Sequence, residues 1–420
     1  MRKSRGKTRK VTRKTAGVEV SGKKLTLSWP IDQLLGEVAG EIEAFSAQIG
    51  LEIMQALMDH EVGEMIGPWG RQSAHRHGTQ PGYVVYGGRK VSIERPRVRG
   101  KGGGEVDLDT YRAFQGQDKM QAAVARQLTR RCSSRDYAGA IDDCLDGYGI
   151  SKSSVSRQWK AATEKELEKL CQRPIPEGLV ALLLDGKQVK EDCVVVALGV
   201  TADGRKQVLG LWHGATENST VAKGLLEDLM ERGLDPSNPL LFIIDGSKAL
   251  RKAIREVFGS HAPVQRCRVH KQRNIIEYLP KQKRQQAIWR LRAAWDKSDP
   301  EEAKAQLRKT VRWLDAISPS AVRSLEEGLE ETLTLQKLGI NGTLLKSFSS
   351  TNLIESCFSH SGEWCRRVKH WRNAKMLLRW TAAGLLHAEK GFRRIRGYRD
   401  LNRLEHALQK NMNESHKKAA

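Results

Sequence analysis

Apolar residues follow two rhythms along this chain, and the switches between them divide it. From Ile31 to Ile66 they recur every three or four positions, at Leu34, Leu35, Val38, Ile42 and Phe45 and then at Ile49, Ile53, Leu57 and Met58, which predicts two helices. Over 67–105 Gly, Arg and His dominate. There YVVYGGRKVSIERPRVRG alternates, so Tyr83–Tyr86 is expected to pair with Lys90–Glu94 across Gly87-Gly88. Helical spacing returns between Lys119 and Leu170. Helices are expected over Gln121–Thr129 and Ser134–Cys144 and, after the Gly147-Tyr148-Gly149 turn, from a cap at Ser151. Pro174 and Pro176 then break the chain and mark a domain boundary.

Past the prolines, Val180–Leu184 and Leu240–Ile244 are uninterrupted apolar runs of the kind that form strands buried on both faces. Each run ends in an acid followed by glycine, Asp185-Gly186 and Asp245-Gly246, so both are expected to deliver a carboxylate to the same rim of one sheet. Between them lie a strand over Cys193–Val200, a turn at Thr201-Ala202-Asp203-Gly204, a strand over Gln207–His213 and an amphipathic helix over Asn218–Gly233. Val264–Arg268 reads as a fifth strand. The predicted class is α/β, a mixed sheet in βββαβαβα order, which is the order of a ribonuclease-H-like core. A Rossmann-type fold would alternate strand and helix from the start, and no glycine-rich phosphate loop occurs.

Lys271–Leu338 is helical in pattern, with Trp289, Trp295 and Trp313 expected as buried anchors; the alternative use of one or more of them is to stack on a flipped or terminal base. In SFSSTNLIES, Thr351 or Asn352 caps a helix carrying Glu355 in its first turn, and 375–410 continues as basic helix. The expected domains are therefore a disordered basic arm (1–20), a helical and hairpin region (21–117), a helix-turn-helix-like region (118–173), and a core in two parts (174–270 and 343–420) around an all-helical insertion (271–342).

Composition adds a partner. Among 420 residues, 72 Lys and Arg stand against 49 Asp and Glu, a net charge of +23, and residues 1–15 alone hold eight basic side chains and no acid. Such a surface fits double-stranded DNA. The arginine-edged hairpin (Arg89, Lys90, Arg95, Arg97, Arg99) is expected along a groove, and the helix opening with Lys152, Ser153, Ser154 and Arg157 is expected to read one. Seven scattered cysteines imply reduced thiols in a cytoplasmic, nucleoid-associated protein, and no apolar run suits a membrane.

Asp185, Asp245 and Glu355 offer the hard oxygen ligands that hold divalent cations beside a phosphate, and Arg366 is a candidate for that phosphate. Cys267-x-x-His270 is half of a zinc site by spacing, but no second pair follows, which favours support of the active site.

With these residues in place, the chain from about 65 to 400 resembles the bacterial Mutator-type transposases, the insertion-sequence family 256 group. The likeness rests on ERPRVRG, YGISKSSVSR, VLGLWHGATENS, ERGL, FIIDGSKAL, QRCRVHKQRN and TNLIES. It implies a DDE triad of Asp185, Asp245 and Glu355, with a helical insertion in the 110 residues separating the last two. On that resemblance two Mg²⁺ (or Mn²⁺) ions roughly 3.5–4 Å apart activate water and then a 3′-OH at the transposon ends. Synapsis of two ends implies self-association into a dimer or larger. A transposase-derived DNA-binding protein without activity, and a ribonuclease-H-like nuclease, are the alternatives.

Overall fold

The computed structural model describes residues 14–20, 23–29, 42–67, 74–86, 89–116, 152–189, 191–216, 218–366, 368 and 370–419. The chain divides into two units, 1–162 and 163–420.

In the first unit β1 (Lys14–Val20) and β2 (Lys23–Trp29) form an antiparallel hairpin with Val20 opposite Lys23. Residues 14–20 are therefore strand, where a disordered arm was expected. The apolar residues alternate at 18, 20, 25, 27 and 29 around a Ser-Gly pair, a hairpin signal that the density of positive charge outweighed. Next comes α1 (Ile42–Ile66), one continuous helix over Phe45 and Ile49–Met58 where two were expected. Gly50 within it lets the Tyr86 ring approach: a Cβ there would stand 2.5 Å from it. The earlier positions 34, 35 and 38 lie outside the described residues.

A long ribbon follows, of β3 (Ala74–Tyr86) and β4 (Arg89–Gly100), edged by the short β5 (Glu105–Val106). Its register, Tyr86 with Arg89 and Val84 with Val91, is the expected pairing across 87–88. Met58 and Val62 of α1 pack on Val84, Val91 and Val98, together with Tyr111 of α2 (Asp109–Phe114). The two helices and the glycine turn expected between 121 and 149, and the Ser151 cap, lie outside the described residues. The third helix of that set is α3 (Lys152–Cys171).

The second unit begins within α3, at Thr163, eleven residues before the prolines. The end of α3 is tied to the core there: Arg232 donates to the Leu170 and Arg173 carbonyls at 3.2 and 3.0 Å, and Arg379 to Thr163 Oγ1 at 2.9 Å. The core is a five-stranded mixed sheet of β6 (Leu179–Val189), β7 (Asp192–Thr201), β8 (Lys206–Gly214), β9 (Leu241–Ile244) and β10 (Val264–Arg266), in the order β10-β9-β6-β7-β8. The first three strands are antiparallel, and β9 and β10 run parallel to β6.

Helices cover both faces, and strand alternation sorts the side chains between them. Leu182, Leu184, Phe242 and Ile244 pack on α4 (Ser219–Glu231, capped by Asn218) and α5 (Lys248–Phe258). Leu183 and Ile243 face the opposite layer. The segment from α6 (Arg268–Glu277) through α7 (Lys281–Trp295), α8 (Pro300–Asp315), α9 (Pro319–Glu326) and α10 (Thr334–Lys337) is helical as expected, with its own apolar core. Trp295 is buried in it and Trp313 partly so, but Trp289 is 65% exposed and anchors nothing there. Among the described residues every cysteine is a free thiol, and no helix is long and apolar enough to cross a membrane.

The opposite layer is built from α11 (Gly342–Phe348), α12 (Asn352–Cys365), α13 (Ala374–Glu389) and α14 (Leu401–Ala419). The expected basic helix over 375–410 is thus two helices, and α13 spends its apolar face on the core. It packs closely on α12 because Gly384 lacks a side chain; a Cβ there would stand 2.8 Å from Ser361 Cα. Gly384→Val should therefore lower stability by about 1–3 kcal/mol, as overpacking does. Urea unfolding measures this, and wild-type stability would mean that the two helices separate freely.

Candidate active site

The parallel strands bring three candidate side chains to one level. Leu184 of β6 is in register with Ile244 of β9, and Ile244 with Arg266 of β10. The next residues along are Asp185, Asp245 and Cys267, and the Cys267 N–H donates to the Ile244 carbonyl at 2.8 Å. Neighbouring strands are about 4.8 Å apart, so Asp185 and Asp245 start from adjacent rungs. By alternation they follow Leu183 and Ile243 onto the face covered by α12.

One expectation changes here. Asp185 does not end its strand: β6 continues to Val189, with Asp185 opposite Val196 of β7. What ends at Asp185 is the pairing with β9, because β9 stops at Ile244. Asp185 is buried. The Asp245 carboxylate accepts the Ser247 N–H at 2.8 Å, and Ser247 in turn caps α5 through the Leu250 N–H.

Glu355 arrives on α12, whose start is fastened to β10 in two ways. The Arg268 N–H donates to the Ser349 carbonyl at 2.8 Å. The Cys267 sulfur accepts both the N–H and the hydroxyl contact of Thr351 at 3.4 Å. Thr351 occupies the N-cap position of α12 without capping it. Its hydroxyl lies 2.8 Å from Glu355 Oε1 and 3.3 Å from His270 Nδ1. Glu355 thus does not close a capping box: with Thr351 at the N-cap the third helical position is Ile354, and the Thr351 N–H goes to sulfur.

His270 Nδ1 sits 3.3 Å from Cys267 Sγ and 3.8 Å from Glu355 Oε1. Its pKa rises to about 9, chiefly through the hydrogen bond to Cys267, with the charges of Cys267, Glu355 and Asp245 adding and burial opposing. Burial pushes the Cys267 thiol up, but hydrogen bonds from His270 and Thr351 outweigh it and hold the thiol below its ordinary value. The contact between them therefore favours the protonated imidazole and the ionised sulfur beyond their ordinary balance.

Among the described residues, the ligand atoms of Cys267, His270 and Glu355 all lie within 4.8 Å of one another. That is three donors, whereas a closed structural zinc site takes four. Asp185 and Asp245 border this group through the strand register. Arg366 does not join it. The helix survives Gly362, but Arg366 sits exposed at its far end, eleven residues or about 16 Å along the axis from Glu355.

The other candidate residues lie in the first unit. The side chains of Arg89, Lys152 and Ser154 lie outside the described residues, and Ser153 and Arg157 are exposed near the start of α3. On the ribbon, Lys90 Nζ sits 3.8 Å over the Tyr83 ring. Arg99 is the largest influence on His77, holding its pKa down. Arg95 and Arg97 are already engaged, since both donate to the Glu105 carboxylate of β5, at 3.1 and 2.9 Å. Sequence reasoning missed Glu105, because nothing local marks a two-residue strand as the partner of β4. It also missed Thr351 as more than a cap, although the TN pair before Glu355 was in view.

Comparison with known proteins decides the family. The model of the family described as "Transposase, Mutator family" matches residues 33–393. The chain belongs to the Mutator family of transposases. It is 28% identical to the transposase for insertion sequence element ISRM5 of Rhizobium meliloti (strain 1021), over 72% of this chain and 77% of that one. It is 31% identical to the transposase for IS6120 of Mycolicibacterium smegmatis, over 54% and 71%. To the transposase for IS256 in transposon Tn4001 of Staphylococcus aureus it is 26% identical, over 63% and 68%. A Mutator-family transposase is a DNA recombination enzyme.

The anchoring role of sulfur yields a prediction. Cys267→Ala leaves the buried Thr351 N–H without its acceptor, and should cost about 1–3 kcal/mol. Cys267→Ser restores an acceptor and should recover part of it. Chemical denaturation measures both, and an alanine variant as stable as wild type would show that the sulfur is no anchor.

Proposed function

We propose that the protein is a DDE transposase: it binds the terminal inverted repeats of its insertion sequence, cleaves there and joins the freed 3′ ends to target DNA. Asp185, Asp245 and Glu355 are the catalytic carboxylates in this reading, and the sheet is a ribonuclease-H-like core interrupted by the helical segment. The observation that carries it is the shared level and face of Asp185 and Asp245, opposite a helix that bears Glu355 and is fastened to the adjacent strand. The observed element order, βββαβαβα, supports the same reading.

The donor set fits Mg²⁺ or Mn²⁺. Three carboxylates are hard ligands, and two of them, Glu355 and Asp245, are near enough to His270 to help raise its pKa. Asp185, Asp245 and Glu355 would hold the ions, whose chemistry when bound would be to activate a water and stabilise the leaving 3′ oxygen. The chain itself contributes rigidity. Thr351 orients Glu355 by hydrogen bond, Ser247 orients Asp245, and the strand frame fixes Asp185. No Ser or Tyr nucleophile is required, because water and then the DNA 3′-OH attack. The basic ribbon and α3 are assigned to DNA binding, and pairing of two ends calls for at least a dimer.

Asp185→Asn, Asp245→Asn and Glu355→Gln should each lower cleavage and strand transfer by several orders of magnitude while end binding stays within a few-fold of wild type. A labelled fragment carrying the element's terminal repeats, incubated with Mg²⁺ and target DNA, reads both. A Glu355→Gln variant that still joins ends removes Glu355 from the triad. A second expectation concerns the ribbon. Glu105→Gln frees Arg95 and Arg97, so DNA affinity should rise and the dependence of log K on log salt should steepen by about one to two. An unchanged slope would take these arginines out of the DNA interface.

A further inference from the structure

Helix α5 carries two faces. Leu250, Ala253, Ile254 and Phe258 are buried against the sheet. Lys248, Arg251, Lys252 and Arg255 recur at the i, i+3, i+4, i+7 spacing of a single stripe on the outer side. The stripe starts three residues after Asp245, and the Ser247 N–H ties the two together. It spans about 10 Å, the axial length of about three steps along a DNA strand.

This stripe lines a cavity of about 390 Å³ that reaches Ile244 and Gly246 at the end of β9, with Arg266 on its far side. Its two acids are engaged: Glu331 takes Arg251 at 2.6 Å, and Glu327 takes Arg266 at 3.3 Å. Lys248, 89% exposed, is 3.7 Å from Glu327, and Lys252 is 3.8 Å from Glu256. Contacts of that length at the surface hold little charge, so most of the stripe's field is unspent. A phosphodiester approaching several carboxylates meets repulsion, and cations within reach of the same duplex offset it; the stripe lies over the sheet face opposite α12 and meets the acids' side only around the end of β9.

We propose that the outer face of α5 is a track for the DNA backbone that leads away from the end of β9 over the sheet face opposite α12, gripping duplex DNA irrespective of its sequence. The proposal rests on the transposase reading above. Lysine and arginine contacts to phosphate position a duplex without reading bases, so the grip falls on any DNA that occupies the site.

The test uses the full-length protein with Lys248→Ala, Lys252→Ala and Arg255→Ala, singly and combined. Anisotropy of labelled duplexes with and without the terminal repeat, over a salt series, gives the slope of log K against log salt. The triple variant should lose about two to three from that slope on both duplexes, and each single variant about one. Its melting temperature and its Mn²⁺ binding by electron paramagnetic resonance should match wild type, since these side chains are exposed and touch no proposed ligand. An unchanged slope, or a loss confined to the repeat-bearing duplex, overturns the proposal. Glu355→Gln run alongside separates the two readings. It should keep the full slope while losing cleavage, and if it still cuts, the triad assignment fails while the stripe is judged on its slope alone.

Discussion

Everything around the candidate site hangs from the end of β10. Five residues there face two ways. Gln265, Arg266, Arg268 and Lys271 turn toward the helical segment, while Cys267 turns toward α12. Arg268 alone donates to the Thr332 and Trp295 carbonyls at 2.9 and 3.1 Å and to Gln336. Gln265 takes the Leu335 N–H, and Lys271 reaches the Ser324 carbonyl. Burial lowers the pKa of Arg268 to about 10 and of Lys271 to about 8, the cost of using charged donors inside the protein. That cost is offset by satisfying carbonyls at helix ends that would otherwise be orphaned.

The opposite side of the same turn explains why a cysteine stands among carboxylates. Sulfur is large, tolerant of long hydrogen bonds and easily buried, so one atom can accept from His270 and Thr351 at once. The contact raises the pKa of His270 and lowers that of the Cys267 thiol. Glu355 is then held through Thr351 rather than by its own helix end, which leaves the carboxylate free of a capping duty.

How far this was legible from the sequence follows from how local each signal is. The strands carrying Asp185 and Asp245 were plain because a strand buried on both faces is continuously apolar. The hairpin at 83–94 was plain because Gly-Gly sits between alternating runs. Asp185 was misplaced at a strand end because Gly186 looked like a turn, whereas the neighbouring β7 keeps β6 extended to Val189. Gly50 in α1 serves the approach of Tyr86, a contact 36 residues away that no local pattern announces. The hold of Glu105 on Arg95 and Arg97, and of Cys267 on Thr351, 84 residues on, are of this kind too.

The net charge of +23 shows the same limit. As a bulk number it points to DNA, yet it does not say which cations are available. Arg232, Arg266, Arg268, Lys271 and Arg379 spend their charge on carbonyls, hydroxyls and carboxylates within the fold. They sit in motifs as basic as the exposed ones: QRCRVHKQRN holds the helices together, while KALRKAIRE presents its cations outward. What separates the two is the phase of the basic residues against the apolar ones. Where they share a helical face with nothing apolar, as Lys248, Lys252 and Arg255 do on α5, they are left exposed. Where they flank a short buried strand, as at β10, the strand carries them inside, and they become part of the frame that positions the acids.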